Sequence, residues 1–249
     1  MFYSQFGEDK ILFDIFQKKT DGVCIEVGAN NGVDDSTSLF FEEIGWKCIL
    51  VEPNPYLCQN IRNVRKSVLY EYAASNQNAI KTLYVVEGAP RSHGMSTIST
   101  DSDVHDRIKS QGFESVAVQV HAMTLDQILA DAQIDAHIDF ISIDVEGHEY
   151  AVLEGFSVAK WKPSILLIED NSRFADNRVS KYLRQFGYVR FMRTGVNDWY
   201  APRTNKRLVN IRSKIGISRS ALINKSKNVL RKIPFIMKIN SRLKARSVE

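Results

Sequence analysis

Residues 22–45 read "GVCIEVGANNGVDDSTSLFFEEIG". The opening "GVCIEVGA" is a β-branched apolar run that ends in glycine, the pattern of a buried strand. "STSLFFEEIG" (36–45) carries a helical pattern, with Asp34, Asp35 or Ser36 placed to cap its start and Gly45 just past its end. Strand, glycine turn and helix in succession form the opening unit of an α/β sheet.

The same rhythm runs outward from it. "KCILVEP" (47–53) is a second strand stopped by Pro53, and Pro55 suits the first turn of a helix running to about Val64. "SVLYEYAA" (67–74) predicts a third strand. "DFISID" (139–144), a helix over 147–156, "SILLIED" (164–170) and a helix ending near Gly187 continue the alternation. "YVRFM" and "NDWYA" flank "RTGV" as an antiparallel hairpin. Between 75 and 125 the rhythm changes: "KTLYVVE" and "SVAVQVHA" flank the polar segment "GAPRSHGMSTISTDSDVHDRIKSQGF". Strand–helix repetition predicts a doubly wound, mostly parallel sheet with helices on both faces. Its ligands belong beyond the carboxyl ends of the strands, where strand order reverses.

Bulk properties narrow the function. The 249 residues, 44% of them hydrophobic, allow one large α/β domain or two small ones with a sizeable core. No run of about 18 apolar residues predicts a membrane span, and "MFYSQFGEDK" has acids where a signal peptide needs an apolar stretch. Cys24, Cys48 and Cys58 lack metal-site spacing and read as buried reduced thiols, so a cytoplasmic location is expected. Charge is uneven. Residues 203–249 hold fourteen Lys/Arg and one acid, for +13, which leaves −9 on residues 1–202 of a chain whose net charge is +4. An acidic body (1–202) and a basic tail (203–249) are therefore expected to meet near Pro202.

The glycine loop, Gly28-Ala29-Asn30-Asn31-Gly32, is GxxxG, neither the GxGxxG of dinucleotide enzymes nor a P-loop. Glu26, two residues before Gly28, would repel a pyrophosphate and would suit a cation. Glu52 ends the second strand 24 residues after Gly28, near the spacing at which an acid accepts both hydroxyls of an adenosine ribose. A phosphate-free, positively charged nucleoside satisfies both acids, and S-adenosylmethionine is one. "NPY" (54–56) is like part of an amino-methylating motif of nucleic-acid enzymes. That motif belongs after the fourth strand, so Pro55 more simply opens a helix.

"SQFGEDKIL", "IEVGANNGVDDS", "ILVEPNP", "YAAS", "LDQIL" and "DFISIDVEGHEYAVLEGF" together resemble the FkbM-type S-adenosylmethionine-dependent methyltransferases, over roughly residues 3–202. The resemblance implies a seven-stranded sheet whose last strand alone is antiparallel. It also implies O-methylation, with sugar or glycan hydroxyls and small natural products as family substrates. Residue by residue, Glu26, Gly28, Asn30 and Gly32 match the first motif, and Glu52 and Asn54 the second-strand motif. Ala73 and Ala74 match the turn near adenine, and Asp144, Glu146 and Gly147 the motif after "LD". The basic tail departs from the family pattern.

Methyl transfer from a sulfonium is an in-line displacement, and a sugar hydroxyl needs a base or a cation to make it nucleophilic. "IDVEGHE" offers Asp144 at the strand end as base or orienting group, with His148 as the second catalytic candidate. His148 reads equally as a residue packing at a helix start. Glu146 is expected to hold the loop through backbone amides. Asp144 with Glu169 and Asp170 of "IEDN" could make an oxygen-ligand Mg²⁺ site. The "RSHGMSTIS" loop (91–99) suits a lid over the acceptor, and its His93 is a further base candidate.

Two rivals remain at this level. A nicotinamide oxidoreductase is opposed by Glu26 and the missing third glycine, and a non-catalytic scaffold would dock through its tail. Within the tail, residues 219–233 and "FIMKINSRLKAR" predict a basic amphipathic helix pair broken at Pro234. Such a pair suits an anionic membrane surface, giving a peripheral location at the inner face. Docking on the acidic body or a partner protein is the plainer alternative. Nucleic acid is disfavoured, since Phe235 is the tail's one aromatic residue.

Overall fold

The computed structural model describes residues 1–87, 92–135, 137–172 and 174–210. The amphipathic helices expected beyond residue 210 therefore lie outside the described residues, and so does the His93 side chain.

Helix α1 (Glu8–Ile15) precedes β1 (Val23–Val27), α2 (Leu39–Glu43) and β2 (Lys47–Val51). Helix α3 (Pro55–Val64) starts where sequence predicts: Asn54 caps it by accepting from the Tyr56 amide, and Pro55 occupies a first-turn position that has no need of an N–H. Short strands β3 (Val68–Tyr70) and β4 (Ala73–Ser75) follow, then β5 (Ala79–Glu87), α4 (Ser102–Ser110) and β6 (Glu114–Thr124). The chain continues through α5 (Leu125–Asp131), β7 (Phe140–Ile143), α6 (Glu149–Glu154), α7 (Val158–Trp161) and β8 (Ile165–Glu169). Helix α8 (Arg178–Gln185) leads to the hairpin β9 (Tyr188–Thr194) and β10 (Asn197–Pro202).

Seven strands make the main sheet, in the order β3-β2-β1-β7-β8-β10-β9. Strands β3, β2, β1, β7 and β8 are mutually parallel, and β10 is antiparallel to both its neighbours. This is the doubly wound sheet with an antiparallel C-terminal hairpin that the sequence predicts. Its order reverses between β1 and β7, so a crevice opens where their carboxyl ends diverge. The period-two rule assigns the faces. Val23, Ile25 and Val27 of β1 join the cluster built with α5, α6 and α8, while Cys24 faces α1 and α2, among Leu12, Phe40 and Phe41. Each such aliphatic side chain, fully buried, contributes roughly 1.5–3 kcal/mol.

The structure departs from expectation at three places. The third strand does not run through 67–74. After β3 the chain bends at Glu71, which is exposed and pairs with Arg62, and β4 leaves the main sheet for a second one, ordered β4-β6-β5. The helix expected over 36–45 is only α2, because Ser36, Thr37 and Ser38 bond to the Glu26 carboxylate instead of joining the helix. And the body continues past Pro202: Val209 is buried in the α1–α2 layer, and Arg207 donates to the Ile15 carbonyl. The three cysteines are buried and free, with the Cys24 and Cys48 sulfurs 3.1 Å apart across β1 and β2.

Candidate active site

Two of the clefts along the carboxyl edge of the sheet adjoin at the end of β1. The narrower, with about 510 Å³ of empty volume, lies over β1, β2 and β4 and is walled by Val27, Val51, Leu57, Ala73, Ala74 and Ile98. Its described lining includes Glu52, Asp144 and Glu146 and no Lys, Arg or His. A phosphate would meet three carboxylates there and no described cation to offset them. The wider cleft, about 1390 Å³, extends over β7, β8 and the β9–β10 turn. Gly28, Asn30, Asp144 and Glu146 border both.

Gly28 makes the junction possible. Its φ is +86°, and a Cβ there would sit 1.7 Å from the Asp144 carbonyl oxygen. The Gly28 and Ala29 amides both donate to the Val51 carbonyl, and the Asp144 amide donates to that of Val27. The loop is thus stitched across the ends of three strands, and only glycine lets it pass.

Glu26 and Glu52 end neighbouring strands and are equally buried, each 5% exposed, but their surroundings differ. Glu26 accepts from the Thr37 amide at 2.7 Å and from the hydroxyls of Ser36, Thr37 and Ser38. The Arg65 guanidinium, itself buried, lies 3.8 Å away. Four donors fill the carboxylate's acceptor positions, so Glu26 holds the loop after Gly32 and has no free lone pair for a direct ligand bond. Among the described residues Glu52 accepts only from the amides of Asn30, at 3.0 Å, and Asn54, at 2.9 Å, which leaves acceptor capacity at the narrow cleft. Burial raises its pKa from 4.5 to about 7, against those two bonds. Asn54 is fully buried as the cap of α3 and reaches the site through its amide on Glu52.

Beyond β7, Asp144 is exposed to the cleft, and its carboxylate lies with those of Glu146 and Glu169 within 4.8 Å. Depth in the cleft, then the charges of Glu146 and Glu149, raise the Asp144 pKa, and a hydrogen bond with Glu169 opposes the rise. Glu169 is raised likewise, first by burial and then by Asp144. Their titration therefore belongs to the pair and to neither carboxyl alone. Glu146 pairs with Arg107 of α4, and its carbonyl accepts from Thr97 Oγ1 at 2.8 Å. The loop amides of Val145 and Gly147 go to Glu149, not to the expected Glu146. Asp170 is not part of the acidic cluster; it binds the Ser172 and Phe174 amides and pairs with Arg193.

His148 is turned the other way. Its Nε2 lies 3.0 Å from Ser75 Oγ, it borders neither of the two clefts, and burial followed by the charge of Lys81 lowers its pKa to about 4. It packs at the start of α6 against Ser75 of β4.

Residues 26–190, from Glu26 at the end of β1 to β9, match the family model described as the methyltransferase FkbM domain. The chain belongs to this family. Among solved structures, the FkbM domain is similar to precorrin-6Y C5,15-methyltransferase from Geobacter metallireducens GS-15, at 11% identity and TM-score 0.40 over 77% of this chain and 84% of that one. It is also similar to a protein described as an RNA methyltransferase from Pyrococcus horikoshii, at 10% identity and TM-score 0.36 over 79% and 83%. No curated protein matches the sequence. The FkbM domain is a methyltransferase, and its family implies S-adenosylmethionine as methyl source.

Several residues of this FkbM site carry no assigned role in the sequence reading. Arg107, Gln5, Phe6, Asn171 and Asn197 reach the wide cleft from four separate segments, and no spacing rule joins them. The hydroxyl run Ser36-Thr37-Ser38 was a readable signal, since three adjacent donors close to a buried acid suggest that they serve it. Among the described residues, no helix is long and apolar enough to cross a membrane.

Proposed function

We propose that the protein transfers the methyl group of S-adenosylmethionine to a hydroxyl oxygen of a sugar, glycan or small natural-product acceptor. The observation that carries this reading is Asp144, one side chain bordering both the narrow and the wide cleft. The narrow cleft suits a nucleoside without phosphate: apolar walls, a carboxylate with spare acceptor capacity, and no cation among its described lining residues. When bound there, S-adenosylmethionine supplies a methyl group already activated by its sulfonium.

In this reading Glu52 accepts from both ribose hydroxyls, and Asn54 keeps it in place. Ala73 and Ala74 flank the base. Gly28, Asn30 and Gly32 bring the loop backbone close to the amino-acid end, and Glu26 supplies a fixed negative charge facing the ammonium. In the wide cleft Asp144 receives the acceptor hydroxyl's hydrogen bond and turns its oxygen in line with the methyl. As the C–O bond forms, the S–C bond breaks with its electron pair left on sulfur. The hydroxyl proton passes to Asp144, beside Glu169.

Asp144, Glu146 and Glu169 are of the donor type that Mg²⁺ takes, but Glu146 already pairs with Arg107. We assign the compensating positive charge at this cluster to that guanidinium, so methyl transfer should survive a chelator. The tail, with its charge of +13 over residues 203–249, is proposed to dock on an anionic membrane surface, each cation contributing about 1 kcal/mol. Sedimentation with anionic and neutral vesicles tests the tail, and equal binding to both would remove it.

Titration with S-adenosylhomocysteine and with NAD tests the cofactor. Labelled S-adenosylmethionine with cell-envelope glycan fractions tests the reaction. Binding of NAD without S-adenosylhomocysteine, or label appearing on nitrogen or carbon instead of oxygen, would overturn the proposal.

A further inference from the structure

The N-terminal turn is held with unusual care for a surface segment. Glu8 and Asp9 are both completely buried, a cost that only dense hydrogen bonding offsets. Asp9 accepts from the amides of Tyr3 and Ser4 and from Ser4 Oγ at 2.7 Å. Glu8 accepts from the Phe6 amide at 2.9 Å, from Thr194 Oγ1 at 2.7 Å and from Asn197 Nδ2 at 3.0 Å. Ser4 bridges to Asp35 beside the cofactor loop. The segment is thereby pinned to the β9–β10 turn and to the cofactor loop at once.

What this clamp presents is Gln5 and Phe6, both exposed, at the edge of the wide cleft. The Phe6 ring rests on Gly195, where any Cβ would fall 2.2 Å from it, and yet 41% of the residue stays open. Around it the cleft is lined by Asp34, Asp35, Asp144, Glu146 and Glu169. Among the described lining residues the one cation is Arg107, already paired with Glu146. A flat ring ringed by carboxylates and amides matches the surface of a pyranose, which has C–H groups on one face and hydroxyl donors around its rim.

Resting on the function proposed above, we infer that Phe6 is the acceptor platform. Its ring stacks against the apolar face of a sugar, Gln5 bonds to a rim hydroxyl, and the neighbouring carboxylates restrict the acceptor to neutral or amine-bearing pyranoses. A uronate or a phosphorylated sugar meets Glu26, Asp34 and Asp35 at this cleft, and the one described cation, Arg107, is already held by Glu146.

Saturation-transfer NMR on the full chain, loaded with S-adenosylhomocysteine, tests this with methyl glucoside, methyl glucosaminide and methyl glucuronide as probes. The first two should receive saturation on their ring protons, and the glucuronide much less. Phe6→Ala should weaken glycoside binding about three- to tenfold, the scale of one aromatic contact, with affinity for S-adenosylhomocysteine unchanged. Phe6→Leu keeps the apolar contact with Gly195 but lacks a ring face and should behave like Phe6→Ala. Phe6→Trp should retain binding. Glycoside binding intact in Phe6→Leu, or equal for the glucuronide, overturns the inference. Failure of S-adenosylhomocysteine to bind the wild type overturns instead the cofactor reading beneath it.

Discussion

The two halves of the sheet's carboxyl edge are built by different means. Over β1 and β2 the site is made of backbone. Gly28 crosses the Asp144 carbonyl, the amides of Asn30 and Asn54 hold Glu52, and Ala73 and Ala74 leave room by being small. Over β7 and β8 it is made of side chains that arrive from α4, the N-terminal turn and the hairpin. Backbone sites depend on which residues can adopt a conformation. Side-chain sites depend on charge and reach, and they tolerate change differently.

Gly28→Ala should have the largest effect. Overlap with the Asp144 carbonyl and a left-handed φ together cost about 3–5 kcal/mol, read as a large fall in melting temperature or as failure to fold. Melting close to wild type would mean that the backbone half is more plastic than described. Asp144→Asn should leave folding and S-adenosylhomocysteine affinity nearly intact while turnover falls about 10²–10⁴-fold. If affinity fell as much as turnover, Asp144 would belong to the cofactor half and the division would blur.

Glu52→Ala is expected to weaken S-adenosylhomocysteine binding about ten- to a hundredfold, the loss of a bidentate charged acceptor, with turnover at saturating cofactor little changed. The same carboxylate gives a pH signature. Its folded pKa, about 7, lies above its ordinary 4.5, so the folded state keeps a proton that the unfolded chain releases. The contribution of Glu52 to stability therefore falls as pH rises from about 4.5 to about 7 and is level above. Cofactor affinity moves oppositely, rising through about pH 7 as the acceptor becomes a carboxylate. Glu52→Gln should flatten both trends, and a calorimetric pH series that keeps its slope in the variant excludes Glu52 as the source. The smallest effect belongs to His148→Ala, below about tenfold in turnover, because a base would be worth about 10²–10⁴-fold and this ring faces Ser75.

Legibility in the sequence divides along the same line. Strands β1, β2, β7 and β8 were readable because continuous β-branched runs have few alternatives. The turn at Gly28 and the start of α3 at Pro55 were readable because turns and first helical turns demand particular residues, whereas the capping role of Asn54 was not read from the sequence. The break at Glu71 was not, since "YEYAA" keeps strand propensity throughout and only the competing ladder with β6 decides where the chain leaves. Nor was the exchange of roles between Glu146 and Glu149. Two acids three residues apart at a helix start differ only in which one the loop turns inward. Arg107 stands 39 residues before its partner Glu146, and no local pattern signals so distant a pairing.

That break at Glu71 also bears on how the nucleoside comes and goes. Strand β4 carries Ala73 and Ala74 beside the narrow cleft, and it is hydrogen-bonded to β6, which is hydrogen-bonded to β5 and through Tyr84 to Thr97 above the same cleft. Wall and roof are consequently one ladder. Lifting the roof alone would rupture the Tyr84–Thr97 backbone pair, whereas moving the unit as a whole would spare the ladder and instead break its ties to the loop after β7, Thr97 Oγ1 to the Glu146 carbonyl and Ser75 to His148. If the proposed nucleoside binds there, its exchange should be a single cooperative step, with a rate set by those ties and common to the purine and sulfur ends of the molecule.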